Sequence, residues 1–396
     1  MKSVRDFDVS GKKVMVRVDY NVPMDDHGNI TDDNRIRATL PLIGYLIEKK
    51  AAIILISHMG RPDGGPVPAL SLAPVAQCLG TLAGHEVLFA PDCLGRDVEA
   101  KVAALAPGQI LLLENLRFHK GEKKNDPDFA KALADLCDIY VNEAFAVSHR
   151  KEASVVGIPS FAKSCAPGFL LEKEMQSYRD AMENPRHPLA AVIGGAKVSS
   201  KLNALLNMLN VVDSLIIGGA MANTFLKSKG INIGASMVED DLLDAARDIL
   251  AKAEKRGIPL LLPVDLIFAS ALDGGAERRT VKIGKEDVPD GWMALDIGED
   301  TMKLFSDEIK KAGTIVWNGP MGVFEMEAFC EGTMAVARAV AGADGAFSIV
   351  GGGDTALAAK VCGVADRVGY ISTGGGAFLH LMEGKELPGV AALEYM

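Results

Sequence analysis

Five turns in the first half of the chain carry cations: RVDYNVP (17–23), NRIR (34–37), SHMGRP (57–62), ENLRFH (114–119) and NEAFAVSHR (142–150). Arginine grips phosphate or carboxylate through two parallel hydrogen bonds. The whole chain has a net charge of −10. Convergence of Arg35, Arg61, Arg117 and Arg150 would therefore oppose the overall field and make a site for a small, multiply charged anion. His58 can pair with phosphate, and Asp19 and Asn21 can accept hydrogen bonds from ligand hydroxyls. Each type also has an ordinary role. A lone arginine after a strand is usually solvated or ion-paired, Asp and Asn shape turns, and a histidine is commonly structural.

The second half carries glycine turns instead. VIGGAKVSSKLN (192–203) places Lys197 and Lys201 four residues apart, which predicts one face of a helix opening there. Lysines at a helix N-terminus oppose its dipole unless a polyphosphate is bound; solvated lysines are the ordinary alternative. LIIGGAMANTF (215–225) offers either an apolar wall for a nucleobase or a plain tight turn. In IVGGGDTALAAK (349–360), Asp354 follows three glycines at the start of a helix. A carboxylate beside polyphosphate is tolerable when a divalent cation lies between them. The glycines by themselves suit several nucleotide-binding folds or a plain tight turn. STGGGAF (372–378) opens the last long helix, and WNGPMGVFEMEAF (317–329) places Glu325 after a strand and a Pro/Gly loop. A surface ion pair is the ordinary reading of Glu325. No turn matches G-x-x-x-x-G-K-[ST] or G-x-G-x-x-G, which counts against a nicotinamide-dependent dehydrogenase.

Short apolar runs must position these turns. Runs at 14–19, 51–57, 86–90, 109–115 and 139–144 read as strands, with helical patterns at 37–50, 72–84 and 126–137 between some of them. After a break, strand-like runs recur at 189–195, 214–220, 259–265, 314–319 and 347–353, with helical patterns at 197–210, 242–257 and 331–342. Alternation of this kind predicts α/β architecture: two doubly wound, Rossmann-like parallel-sheet domains joined by an interdomain helix and hinge. Such sheets bind ligands at the C-terminal ends of their strands. The expected divisions are 1–167, an interdomain helix and linker at 168–185, 186–378, and a C-terminal segment 379–396 docking on the first domain. The length, 396 residues, suits two such domains. The six cysteines form no C-x-x-C pair, so reduced thiols are expected rather than a zinc or disulfide framework. The start, MKSVRDFDVSGK, does not read as a signal peptide, and no apolar run approaches membrane-spanning length. A soluble cytoplasmic protein, without nucleic-acid or membrane partners, is the expectation.

RVDYNVP, SHMGRP, ENLRFH, GGAKVSSK, WNGPMGVFE, GGGDT and STGGGA, in this order and spacing, resemble the phosphoglycerate kinase family from about residue 3 onward. The resemblance implies reversible phosphoryl transfer between 1,3-bisphosphoglycerate and ADP, giving 3-phosphoglycerate and ATP, with Mg²⁺. It implies two lobes that close about a hinge, and a monomer. Its substrate contacts fall on Asp19, Asn21, Arg35, His58, Arg61, Arg117 and Arg150. Its nucleotide contacts fall on Gly195, Lys197, Lys201, Gly219, Asn318, Glu325, Gly352, Gly353, Asp354 and Thr355, with Glu325 on the ribose and Asp354 on the metal. The acceptor is an ionised carboxylate, so no general base is needed. Arg35 and Lys197 would neutralise the transferred group, and the helix-opening N–H groups at Gly353 and Gly375 would add oriented dipoles. The chain departs from the family pattern at Tyr20, usually Phe, and at Glu143, Ala146 and Ser148. A catalytically silent two-domain anion- and nucleotide-binding protein is the rival reading.

Overall fold

The computed structural model describes residues 2–394. Residue 1, in the first expected domain, and residues 395–396, in the C-terminal segment, lie outside the described residues. Contacts divide the chain into two compact units. One runs to Met175 and resumes at Glu386; the other spans Gln176–Lys385.

The first unit holds β1 (Lys13–Arg17), β2 (Ala52–Ile56), β3 (Val87–Ala90), β4 (Ile110–Leu113), β5 (Ile139–Asn142) and β6 (Cys165–Pro167). They form one parallel sheet in the order β3-β4-β2-β1-β5-β6. β2 (AIILI) and β4 (ILLL) are buried at every position. Successive strand residues such as Ile53 and Ile54, which point to opposite faces, are both fully buried, so apolar packing covers both faces, as a parallel sheet requires. The chain leaves β1 toward β2 and later returns to its other side at β5. The resulting crevice lies at the strand C-termini. The helix Pro388–Glu394 packs near Ser148, whose carbonyl accepts from Gly389 N at 2.8 Å.

The second unit holds β7 (Leu189–Ile193), β8 (Ser214–Ile217), β9 (Leu260–Leu261), β10 (Asp265–Ala269), β11 (Arg278–Lys282), β12 (Met293–Ile297), β13 (Thr314–Asn318), β14 (Phe347–Val350) and β15 (Tyr370–Ile371). Its main sheet, β15-β14-β13-β7-β8-β9, is parallel, with the connections diverging between β7 and β13. The two doubly wound sheets agree with the expected fold class. The run 259–265 is not one strand, however. Val264 is exposed, and the chain passes from β9 into a separate antiparallel sheet, β11-β10-β12, absent from the sequence reading. Its outer strand RRTVK buries only Val281 and so lacks the apolar signature of the other strands.

The predicted helix over 197–210 is also corrected: the helix spans only Leu202–Met208. Residues 195–201 form bends and a turn, with Gly195 at φ +109°. Lys197 and Lys201 therefore do not share a helix face.

Candidate active site

In the first unit, Asp19 and Asn21 follow β1, His58 and Arg61 follow β2, Arg117 follows β4 and Arg150 follows β5. Their backbones end adjacent parallel strands on the same side of the sheet. The nearly buried Asp19 accepts from Arg35 Nη1 at 2.7 Å, and the same nitrogen donates to Asn21 O at 3.3 Å. The Arg35 side chain is nevertheless 42% exposed, leaving its other nitrogens toward solvent. Asn21 Oδ1 accepts from Gly60 N at 2.9 Å, while Gly60 O accepts from Arg117 Nη1 at 2.7 Å. These bonds tie three strand-end turns together and fix the exposed Arg61, the next residue along.

Arg117 is almost fully buried. Its Nη2 donates to Glu152 Oε1 at 2.6 Å, and Arg150 Nη1 approaches the same oxygen at 3.6 Å. Arg117 Nε has no protein partner, although it is buried. One carboxylate thus serves two guanidinium groups and leaves them in positive excess. Burial, ahead of any charge, lowers the Arg150 pKa.

His58 is buried, with Nδ1 3.2 Å from Arg17 Nη2. An arginine only donates, so Nδ1 accepts and the ring proton sits on Nε2. Burial first, then the charges of Arg17, Arg117, Arg150 and Arg35, holds the imidazole pKa well below 6.5. The histidine is a neutral donor here, not a cation. Arg17 itself is completely buried: Nε donates to Ser154 Oγ at 2.8 Å and Nη1 to Val18 O. Sequence reading passed over Arg17 and Glu152. An arginine ending an otherwise apolar strand was the available signal for the first; nothing marked the second.

In the second unit, β7 leads into Gly194–Gly195, β8 into Gly218–Gly219, β13 into Asn318–Gly319 and β14 into Gly351–Gly352. Gly219 has φ +67°, and a Cβ there would lie 2.5 Å from Gly195 N. Only hydrogen at that position lets the two turns touch. Gly352, at φ +94°, precedes the helix Gly353–Val361; its Cβ would meet Asn318 Nδ2 at 3.2 Å. Asn318 Nδ2 donates to Gly351 O at 2.8 Å, and the buried Thr355 Oγ1 accepts from Gly319 N at 2.7 Å. Gly375 begins the helix Gly375–Met382, and a Cβ built on it lies 3.3 Å from Gly352 Cα. Two helix N-termini therefore converge, with their free N–H groups and positive dipole ends.

Lys201 Nζ donates to Gly194 O at 2.6 Å and Asn318 O at 2.9 Å, bridging the ends of β7 and β13. Desolvation lowers its pKa to about 8, opposed by the charge of Asp354. Lys197, Asp354 and Glu325 are exposed. Gly195, Gly219, Glu325 and Asp354 line one cleft of about 320 Å³, together with apolar Met237, Leu266, Leu272 and Val323. Lys197, Lys201, Asn318, Gly352, Gly353, Thr355 and Gly375 are outside that lining. The cleft also contains Asp296, missed in sequence. Burial raises its carboxyl pKa to about 7, against hydrogen bonds from Gly332 N and Ile297 N.

The departures at Tyr20, Glu143 and Ser148 have local packing explanations. Tyr20 Oη lies 2.8 Å from Thr39 Oγ1, satisfying a fully buried hydroxyl. Glu143 reaches the start of the helix Phe169–Tyr178, where Oε2 accepts from Leu170 N at 2.9 Å. Ser148 Oγ donates to Ala144 O at 3.1 Å and accepts from Asn142 Nδ2 at 3.3 Å. Nothing in the structure explains Ala146.

Cations at the strand ends of one parallel sheet and glycine-opened helices at those of the other fit the class of enzymes that transfer phosphoryl groups between a nucleotide and a small molecule. The model of the family described as phosphoglycerate kinase matches residues 4–385, and the chain belongs to that family. It is 62% identical to a phosphoglycerate kinase of Desulforapulum autotrophicum over 394 residues, covering 100% of both chains. A phosphoglycerate kinase of Desulfosudis oleivorans is 56% identical, with 100% of this chain and 99% of the relative covered. The solved phosphoglycerate kinase structure from Coxiella burnetii superposes with a TM-score of 0.92 at 44% identity, covering 100% of this chain and 99% of that one.

Proposed function

We infer that this chain catalyses reversible phosphoryl transfer from 1,3-bisphosphoglycerate to ADP, yielding 3-phosphoglycerate and ATP. The carrying observation is the division of labour: a buried guanidinium cluster ends one parallel sheet, and paired helix N-termini open the other. In this reading 3-phosphoglycerate is held by Arg35, Arg61, Arg117 and Arg150. His58 donates through Nε2, and Asp19 and Asn21 position Arg35 and receive hydroxyls. The nucleotide lies over Gly195, Gly219 and Asn318, with its ribose at Glu325 and its phosphates at Gly352, Gly353 and Thr355. A polyphosphate beside Lys201 would favour its charged form against the desolvation that lowers its pKa to about 8.

The exposed Asp354 carboxylate beside a glycine-opened helix fits the preference of Mg²⁺ for one protein carboxylate plus phosphate oxygens. Asp354 would hold the ion, which supplies charge neutralisation on those oxygens. Arg35 and Lys197 grip the migrating phosphoryl group, and the N–H groups at Gly353 and Gly375 stabilise its equatorial oxygens. The acceptor carboxylate needs no base. Water must be excluded while the two substrates meet, so closure of the two units belongs to this reading. Mg²⁺ dependence, monomeric state and cytoplasmic location rest on the family resemblance.

The test is ADP production from Mg-ATP. Saturable turnover that requires 3-phosphoglycerate supports the proposal. Binding of both ligands without turnover would instead identify a silent ligand-binding protein.

A further inference from the structure

Away from the candidate active-site cleft, Asp92, Cys93 and His119 bring a carboxylate oxygen, a thiol sulfur and an imidazole nitrogen within 4.8 Å of one another. The three lie in the first unit, on the turn after β3 and the segment after β4. Asp92 Oδ1 is already 2.6 Å from His119 Nε2 and accepts from Cys93 N at 2.6 Å, so the carboxylate is held facing both partners. The His119 ring stacks on Phe129, with centroids 5.2 Å apart and planes at 28°, which limits its rotation. Cys93 is fully buried and its Sγ donates to Glu114 O at 2.9 Å. Asp92 and His119 also line a cleft of about 540 Å³ with Pro66, Pro68, Ser71 and Phe118. A ligand thus has a way in.

We propose that Asp92, Cys93 and His119 form a three-ligand site for a divalent transition-metal ion of the Zn²⁺ class, with a fourth position open to this cleft. Tetrahedral zinc takes sulfur at about 2.3 Å and nitrogen or oxygen at about 2.0–2.2 Å. Ligand atoms around such an ion stand roughly 3.4 Å apart. Asp92 and His119 must therefore separate by less than about 1 Å, and the longer spacings must shorten by about 1 Å or somewhat more. Rotation of the exposed Asp92 carboxylate and of Cys93 Sγ about its Cα–Cβ bond supplies movements of this size while the stacked imidazole keeps its place. The donor set excludes Mg²⁺, which prefers oxygen ligands, and suits zinc, which accepts sulfur and nitrogen. Binding breaks the Cys93 S–H bond and the hydrogen bond from His119 Nε2 to Asp92 Oδ1; the ring proton moves to Nδ1, metal–thiolate, imidazole and carboxylate bonds form, and the thiol proton goes to solvent.

The test uses the full-length, reduced protein, freed of metal with a chelator. Co²⁺ is added anaerobically as a spectroscopic probe, and Zn²⁺ affinity is measured by competition with a chromophoric chelator. One equivalent of Co²⁺ should give a thiolate-to-cobalt charge-transfer band that Zn²⁺ abolishes. Cys93→Ser should remove the band. His119→Gln and Asp92→Asn, at more exposed positions, should each weaken Zn²⁺ binding by at least about tenfold. Cys78→Ser should leave both signals intact. Absence of the band, or its persistence with unchanged Zn²⁺ affinity in His119→Gln, overturns the proposal, even if Cys93→Ser does not fold.

Discussion

In the function proposed above, the two candidate binding regions hold phosphate with different parts of the chain. In the first unit the work falls on side chains. Arg117 and Arg150 share Glu152, Arg35 is braced by Asp19, and His58 is kept neutral by Arg17 and burial. In the second unit the work falls on the backbone, because Gly195, Gly219 and Gly352 let turns and helix ends approach closely. The exposed Lys197 and Asp354 are its solvent-facing charges. A small anion whose charge is concentrated suits several guanidinium groups. A polyphosphate with a metal suits many weak N–H donors whose positions the fold has already fixed.

The comparison breaks first at the proposed transfer step. Arg35→Ala and Lys197→Ala should each lower kcat by at least about tenfold, and by on the order of 10² if each donor acts as a typical charge-stabilising group. Lys197 is exposed, so its replacement should hardly move the melting temperature, whereas Arg35→Ala leaves the nearly buried Asp19 carboxylate without its ion-pair partner and should lower it while folding is retained; unchanged kcat in either variant removes that residue from the step. Next in size, Asp354→Ala should raise the nucleotide KM by about tenfold at fixed Mg²⁺, the loss of a metal contact worth roughly 1.4 kcal/mol. The 3-phosphoglycerate Kd, measured by calorimetry, should stay the same. Equal weakening of both ligands would show that the units do not divide the work as argued.

Gly219→Ala tests the backbone side directly. The positive φ and the 2.5 Å approach to Gly195 N predict strain of about 1–3 kcal/mol. It should appear as weaker nucleotide binding with little change at the arginine site. A normal nucleotide Kd would mean that the turns do not need their close contact. The smallest effect concerns His58. In the unfolded chain its imidazole takes a proton near pH 6.5, while the folded site resists protonation to a much lower pH. The unfolded state then binds more protons, so this group makes stability fall as pH drops below 6.5. His58→Gln should flatten that part of the stability–pH curve. NMR of the native imidazole should show the Nε2–H neutral form persisting below pH 6.5; a cationic ring there would refute the assignment.

Much of the frame was legible because buried parallel strands must be apolar on both faces. β2 and β4 announce themselves, as do the glycines that follow β7, β8 and β14. The antiparallel β11 did not, because RRTVK buries one residue and reads as a polar loop. The helix start near Lys201 was misplaced because a four-residue lysine spacing says nothing about whether the intervening backbone is helical. Lys201, at φ −130°, lies outside helical geometry, and its Nζ is turned to the carbonyls of Gly194 and Asn318, so the helix opens only at Leu202.

The residue types alone pointed to two parallel sheets, to arginines beyond the strand ends of one half as candidate anion ligands, and to glycine turns with a candidate metal-holding aspartate in the other. Those properties are local: they follow from alternation, turn chemistry and charge. Only the tertiary structure decided which charges are available. Folding buried Arg17 against His58 and so fixed a neutral tautomer. It gave Arg117 and Arg150 a single shared carboxylate, and turned Lys201 inward while leaving Lys197 in solvent. Desolvation and pairing depend on groups far apart in sequence, such as Arg117 and Glu152 or Lys201 and Asn318, and no local pattern encodes those distances.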